Sequence, residues 1–217
     1  MSMMKDMASV AVLIGDVVGS REITPRSRLH ERLRAVLDEV NDTTAPLQPL
    51  RITVGDEFQG AYADLGTAVA ATLTLRLALL PLADLRHGIG WGPVEVLQQQ
   101  PRVEDGPGWW AAREAIEAVK RDQQTPALRG VRTAVRHADG EAAAAINAAL
   151  MLRDDRVSGL SVRSRTLLAG LVAGRSQAEL AAEEGISASA ISQRVRNDGL
   201  GVLVASHRLW TDEEEKR

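Results

Sequence analysis

The segment SVAVLIGDVVGS (residues 9–20) decides the fold of this chain. Its apolar, β-branched first part is typical of a buried strand, and the Gly15-Asp16 pair predicts a turn where that strand ends. Thr24 and Pro25 predict the start of a helix, with Thr24 as its N-cap. Apolar residues then recur at helical spacing, at Leu29, Leu33, Val36, Leu37 and Val40. The sequence therefore predicts a buried strand that leads into an amphipathic helix.

The elements that follow predict an α/β sandwich of the ferredoxin-like, split βαβ type. A hairpin is expected from the strands at 50–54 and 58–62, which flank a tight turn at Gly55-Asp56. The remaining predicted elements are a helix at 65–79, a strand at 85–90 with 94–97 as its candidate partner, a loop at 98–108, a helix at 109–120 and a strand at 129–135. The order strand–helix–hairpin–helix–strand is the basis for this fold class.

A second, smaller all-α domain is predicted after the sandwich. Asp139-Gly140 precedes an alanine-rich helix, and from Ser161 onward the pattern contains only short helices. We therefore divide the chain into an α/β domain at residues 1–138, a linker helix at 139–157 and a helical domain at 158–217.

The segment SQAELAAEEGISASAISQRVRN (residues 176–197) predicts a helix-turn-helix within that helical domain. Ala181 is small enough for a second helix to cross the first, and Gly185 suits the positive-φ position of the turn. Ser187 is a typical N-cap, and Ile191 and Val195, four residues apart, are expected to point inward. The combination resembles the helix-turn-helix of sigma-factor region four and related repressor domains.

That resemblance implies binding to double-stranded DNA through the second helix. The residues it would present to the major groove are Ser187, Ala188, Ser189, Ser192, Gln193 and Arg196. Gln193 is suited to an adenine edge, and Arg196 to guanine or a phosphate. Arg194 departs from the motif, which often has an apolar residue there. The alternative is a trihelical dimerisation or docking module, since the charge balance of this region is only weakly positive.

Two acidic turns in the α/β domain predict a metal and phosphate site. Asp16 ends the first strand and Asp56 lies in the hairpin turn, so both carboxylates emerge at one sheet edge if the strands are neighbours. Paired carboxylates with hard oxygen ligands favour Mg²⁺ or Mn²⁺. The backbone after Asp16, with Val17, Gly19 and Ser20, is placed to hold phosphates with its amides. The alternative is that both are ordinary turn aspartates, because Gly-Asp is a common turn pair.

Four blocks of the chain resemble the SatD family. They are GDVVGS (15–20), GDEFQG (55–60), RHGIGWG (86–92) and DGPGWWAAREA (105–115). More distantly, the same blocks resemble the catalytic domain of class III nucleotidyl cyclases, in the same order. That likeness implies a nucleotidyl-cyclase-like fold in which Asp16 and Asp56 bind metal and Arg113 stabilises a transferring phosphoryl group. On helical spacing alone, Arg113 is equally explained by a surface pair with Glu117.

Two positions depart from the cyclase pattern. Trp109 stands where the cyclases have the asparagine that orients the ribose, and Ile52 stands near the purine-reading lysine. We therefore expect a metal and phosphate site to persist without cyclase activity.

Composition narrows the class of protein further. The chain has 217 residues, a net charge of −3, 45% hydrophobic residues and no cysteine, which excludes a disulfide scaffold and a thiolate metal site. No apolar run near the N-terminus is long enough to span a bilayer, so a cytoplasmic protein without membrane contact is expected.

These observations together lead to the hypothesis that the protein is a homodimeric DNA-binding regulator whose cyclase-like domain binds a nucleotide or other phosphorylated ligand. The alternatives are a metal-dependent nucleotidyl or phosphoryl transferase, and a protein-interaction module that contacts the transcription machinery.

Overall fold

A five-stranded sheet lies at the centre of the computed structural model, which describes residues 8–100 and 102–211. The strands of the chain are β1 (Ser9–Val17), β2 (Gln48–Ile52), β3 (Phe58–Tyr62), β4 (Leu85–Pro93), β5 (Glu95–Gln99), β6 (Arg102–Asp105) and β7 (Thr133–His137). The helices are α1 (Arg26–Thr44), α2 (Leu65–Leu79), α3 (Pro107–Asp122), α4 (Ala144–Gly159), α5 (Val162–Val172), α6 (Gln177–Glu184), α7 (Ala188–Asn197) and α8 (Leu200–Thr211). The chain is therefore mixed α/β, with a helical C-terminal part.

The sheet has the order β2-β3-β1-β4-β7, and neighbouring strands among the first four are antiparallel. This is the split βαβ arrangement, to which β7 adds a strand parallel to β4. Helices α1 and α2 cover one face, where Leu13 belongs to the main core. Helix α3 covers the other face, where Ile14 packs in a cluster with Ile116. Because β1 is covered on both faces, its sequence is a continuous apolar run.

A stripe of glycines on β4 brings α3 directly onto the sheet. A Cβ atom at Gly88 would lie 2.3 Å from the carbonyl oxygen of Ala112, and one at Gly90 would lie 2.0 Å from that of Gly108. Any side chain at these positions would collide with the backbone of α3. The glycines therefore fix α3 against β4, and its C-terminal half reaches the sheet edge where β1 ends.

Two local predictions are wrong, and a third is shifted, since the strand predicted at 129–135 is β7 and begins only at Thr133. The loop predicted at 98–108 is wrong for the described residues 98–100 and 102–108, because β5 and β6 pair with each other as an exposed antiparallel hairpin. The predicted partner of β4 at 94–97 belongs to this hairpin. The hairpin has no apolar alternation to reveal it, since it buries little side-chain surface. Thr24 does not cap α1: Pro25 holds the N-cap position, with no side-chain cap.

The C-terminal helices pack on the α/β part through α2. Leu73 and Leu77 of α2 belong to one apolar cluster with Leu167 and Leu168 of α5 and Leu203 of α8. The backbone of α8 also approaches α2 closely, since a Cβ atom at Gly66 would lie 2.4 Å from the carbonyl oxygen of Trp210. The helices therefore share a core with the sandwich. None of the described helices is long and apolar enough to cross a membrane.

A buried ionic network joins α2, α4 and the start of β7. Arg76, which is fully buried, bonds Asp84 at 2.6 and 3.0 Å and lies 3.4 Å from a carboxylate oxygen of Asp154. Arg153 donates to the same Asp154 oxygen at 3.0 Å and to the hydroxyl of Thr133 at 2.9 Å. Burial alone would raise the pKa of Asp84, but Arg76 and Arg132 outweigh it and hold that pKa below its ordinary value. The network ties α4 to the sheet.

Candidate functional site

The two acidic turns lie at the same edge of the sheet. Asp16 is near the end of β1, and Asp56 lies in the β2–β3 turn, where the amide of Thr53 donates to the carbonyl of Glu57 at 2.8 Å and Gly55 takes a φ of 65°. The amide of Val17 donates to Oδ2 of Asp56 at 3.2 Å, which ties the turn to the end of β1. The strand order therefore brings together the two carboxylates that the sequence predicts as metal ligands.

Two cationic side chains hold the carboxylate of Asp16. Arg86, its register partner on β4, donates from Nε to Oδ1 at 2.6 Å, and Nζ of Lys120 on α3 lies 3.2 Å from Oδ2. Asp16 is only 8% exposed. The negative charge of this buried carboxylate is therefore compensated by side chains of the protein itself, with one cation at each oxygen.

Arg113 forms a bidentate ion pair with Glu57, beside Asp56 in the hairpin turn. Its two terminal nitrogens lie 2.7 Å from the two carboxylate oxygens. The hydrogen bond from Arg113 lowers the pKa of Glu57, and the same bond raises the pKa of Arg113. The pair is partly exposed, so a ligand can compete for Arg113 at modest cost. The surface pair of Arg113 with Glu117, the alternative from helical spacing, is not the one formed.

These groups make a compact set of charges, which we call the edge cluster. Its acids are Asp16, Asp56, Glu57 and Glu117, and its bases are Arg26, Arg86, Arg113 and Lys120. Partial burial lowers the pKa of Lys120, but its contacts with Glu117 and Asp16 outweigh this and raise the pKa above its ordinary value. The formal charges of the four acids and four bases cancel.

The backbone that follows Asp16 offers fewer free amides than the sequence suggests. The amide of Val17 is bonded to Asp56, and that of Val18 donates to the carbonyl of Asp84 at 2.9 Å. Gly19 has a φ of 65° and precedes a short 3₁₀ turn at Ser20–Glu22. Of the predicted phosphate-holding residues, Gly19 takes a left-handed backbone conformation and Ser20 is buried, and their contact with a phosphate stays a prediction.

The donor set fits a divalent cation in chemical type, since Asp16 and Asp56 supply hard carboxylate oxygens at one edge. Within the described part of the chain, the ion pair of Asp56 Oδ1 is a distant one, 4.0 Å from a terminal nitrogen of Arg26. Both oxygens of Asp16, in contrast, already face a side-chain cation. A metal at this edge would therefore replace a basic side chain at Asp16.

Sequence reasoning missed four members of the edge cluster, Arg26, Glu57, Arg86 and Lys120, and it considered Glu117 only as a surface partner of Arg113. Glu57 and Arg86 lie inside the GDEFQG and RHGIGWG blocks, and Glu57 directly follows Asp56. Lys120 is one of only three lysines in the chain, and it follows Arg113 by two helical turns. Its proximity to Asp16 depends on how α3 sits on β4, which no local pattern gives.

The two positions that depart from the cyclase pattern are structural. Trp109 packs against the cluster that holds Val12 and Ile14, and Ile52 packs against the main core. Neither offers a side-chain polar group to a ribose or purine here, because the indole nitrogen of Trp109 is buried without a partner among the described residues.

Two further concave or acidic features lie elsewhere. A cleft of about 770 Å³ lies between α1, α2, α5 and α8, with Arg32, Arg175 and His207 among its lining residues. A group of potential metal ligands, His137, Asp139 and Glu141, follows β7, with ligand atoms within 4.8 Å of one another. Neither feature shares a residue with the edge cluster.

Helices α6 and α7 have the local geometry that the sequence predicts. Ser176 caps α6 with a full capping box, Gly185 takes a φ of 63° after it, and Ser187 caps α7 by accepting from the amide of Ala190. Ile191 is fully buried. Most of the predicted DNA-facing side chains lie on the exposed side of α7: Ser187, Ser189, Gln193 and Arg196 are exposed, and Ser192 is half-buried. Arg194 turns back toward α5 and lies 3.8 Å from Asp198.

Comparison with known proteins gives one family and a set of solved structures. The model of the SatD family matches residues 10–212. No curated protein matches the chain.

Similar solved structures include two described as a bacterial light-regulated adenylyl cyclase, both with a TM-score of 0.47. One is 13% identical and the alignment covers 59% of this chain and 43% of that chain, so less than half of it is matched. The other is 15% identical, with 59% and 76% covered. The guanylyl cyclase domain of the RhoGC fusion protein from the aquatic fungus Blastocladiella emersonii is 15% identical, with a TM-score of 0.44 and 51% and 75% covered.

Proposed function

This chain belongs to the SatD family, and we propose that it is a regulator that binds a phosphorylated ligand, of the nucleotide class, at the edge cluster and double-stranded DNA through α7. The observation that carries the proposal is the bond from the Val17 amide to Asp56, which brings both acidic turns to the sheet edge beside Arg113.

The chemistry of the edge cluster supports ligand binding. Glu57 holds the guanidinium of Arg113 in a bidentate pair, and a phosphate offers that fork the same geometry. We propose that a phosphate which replaces Glu57 at Arg113 also contacts the backbone of Gly19 and Ser20, which follow β1. Asp16 and Asp56 would hold a divalent cation, Mg²⁺ or Mn²⁺, which would offset the charge of the ligand when bound. We do not expect cyclisation, because Trp109 and Ile52 replace the polar groups it needs.

The exposed face of α7 supports DNA binding. Gln193 and Arg196 lie on it with exposed side chains. Major-groove recognition uses this kind of helix, preceded by a packed helix and a tight turn. We expect a homodimer, since such helices read paired half-sites.

Packing through α2 connects the α/β part that carries the edge cluster with the C-terminal helices that include α7. Helix α2 contacts the C-terminal helices through Leu73 and Leu77, and its N-terminal end meets α8 at Gly66. A ligand alters DNA affinity only if it favours one arrangement of these helices over another. We propose that occupancy of the edge cluster has this effect.

The experiment that tests DNA binding selects sequences from a random double-stranded library and then measures affinity by fluorescence anisotropy. Gln193→Ala and Arg196→Ala should each weaken binding roughly tenfold, since a bidentate base contact contributes about 1–3 kcal/mol. Arg34→Ala removes an exposed arginine of α1 and should leave the affinity unchanged. Failure to enrich any sequence would contradict the proposal, and association with RNA polymerase in its place would favour the protein-interaction alternative.

A further inference from the structure

Lys120 occupies a position at Asp16 that a metal ion would otherwise fill. Its Nζ lies 3.2 Å from Oδ2 of Asp16, while Arg86 takes Oδ1 at 2.6 Å. The contact is enforced by the fold, since the glycines of β4 hold α3 against the sheet. We propose that Lys120 is a resident cation at this site, which a divalent metal must displace in order to bind Asp16.

Charge and space make the two cations mutually exclusive. Asp16 is almost fully buried, so its carboxylate has little room to meet a further partner. A divalent ion within a few ångströms of an ammonium group is repelled strongly, because partial burial weakens solvent screening. With Lys120 in place, Asp16 therefore binds metal weakly.

Glu117 gives Lys120 an alternative partner when it leaves Asp16. Its Oε1 already lies 2.8 Å from Nζ, one helical turn before Lys120 on α3. A displaced Lys120 therefore keeps one salt bridge and stays near the surface, where it is free to meet a ligand phosphate. When a metal binds Asp16, the ammonium group of Lys120 therefore moves from the Asp16 carboxylate to the ligand phosphate. This step deepens the proposed function and rests on it, whereas the competition at Asp16 does not.

The test measures binding of Mn²⁺ alone by isothermal titration calorimetry, with no nucleotide present. Lys120→Met keeps the length of the side chain and removes its charge, and it should tighten Mn²⁺ binding by about tenfold or more, since loss of even ~1.4 kcal/mol of repulsion gives that factor. Lys120→Arg keeps the charge and should bind Mn²⁺ as weakly as the wild type. Adding Asp16→Asn to Lys120→Met should abolish the gain.

Circular dichroism checks that each variant is folded. Equal Mn²⁺ affinity in the wild type and Lys120→Met would overturn the proposal, as would a gain that persists without the Asp16 carboxylate. Because nucleotide is absent, these outcomes are independent of whether the edge cluster binds a phosphorylated ligand. A nucleotide that fails to bind would contradict the proposed function and leave the competition standing.

Discussion

At the scale of single residues, His87 shows how strongly burial in the protein interior shifts the pKa of a titratable group. It lies on β4 facing the main core, 6.0 Å from the ring of Phe58 between centroids, and both of its ring nitrogens are buried without a partner in the described part of the chain. Burial first, and then the charges of Arg153 and Arg76, lower the pKa of His87 to about 3. The imidazole is therefore neutral in the folded protein at any physiological pH.

This depressed pKa predicts a pH-dependent stability. An unfolded histidine has a pKa near 6.5, so as the pH falls from about 6.5 toward 3 the unfolded state binds a proton that the folded state does not. The stability that His87 contributes is present above about pH 6.5 and is lost as the pH falls toward 3. Within this window, the folding equilibrium constant falls by up to about tenfold per pH unit. His87→Leu should remove this loss, so its stability advantage over the wild type should grow as the pH is lowered.

Urea denaturation at a series of pH values measures the effect. His30→Gln, which changes an exposed histidine of α1, should follow the wild type. A constant difference between His87→Leu and the wild type across the window would contradict the buried neutral state.

Residue identity made some site members predictable and left others hidden. Asp16 and Asp56 follow a buried strand and fill a tight turn, so their place at a sheet edge follows from local pattern. Arg86 reaches Asp16 only because the β1–β4 register pairs these two positions. Lys120 reaches it only through the packing of α3. Contacts of that kind depend on register and helix placement, which a single sequence does not encode locally.

At the scale of elements, a buried ionic network adds to the apolar contacts of Leu150 and Val157 in holding α4 to the rest of the fold. Asp154 is fully buried, and one of its oxygens accepts from both Arg76 and Arg153 while the other accepts the amide of Arg132 at 2.9 Å. One carboxylate thus compensates cations from two helices.

Asp154→Ala should therefore destabilise the protein by about 3–5 kcal/mol, because it leaves two buried guanidinium groups without their shared partner. Asp155→Ala removes the neighbouring exposed acid of α4 and should change the unfolding free energy by less than about 0.5 kcal/mol. Denaturant titration of both variants gives the comparison. A small effect at Asp154 would mean that the network adds little to the docking of α4.

Elements with a periodic apolar pattern were predictable, and those without one were not. The bounds of α2 and β3 match the predicted ones, whereas β2 begins and ends two residues earlier than predicted. The β5–β6 hairpin was missed because main-chain pairing, rather than side-chain burial, defines it. The buried ionic network of α2 and α4 was not predicted from the sequence either, because its charged residues are scattered along the chain and resemble surface residues.

At the scale of the whole molecule, the helical C-terminal part and the sandwich are joined by α2. Leu73 and Leu77 are buried among residues of α5 and α8. The division at residues 138 and 157, drawn from composition, stays a prediction, and this shared core gives a physical reason for the two parts to unfold together. This shared core is the physical basis of our proposal that a ligand at the edge cluster alters DNA binding at α7.

The measurement that tests the central claim most directly is thermal unfolding with a panel of nucleotides, each with and without Mn²⁺. We expect a single transition, and one nucleotide should raise its midpoint in a cation-dependent way, by about 2.7 kcal/mol of stability at a hundred times its dissociation constant. Asp56→Asn should abolish the shift, whereas Asp38→Asn, at an exposed acid of α1, should retain it. The absence of a shift with every nucleotide, or a shift that survives Asp56→Asn, would contradict a phosphorylated-ligand site at this edge of the sheet.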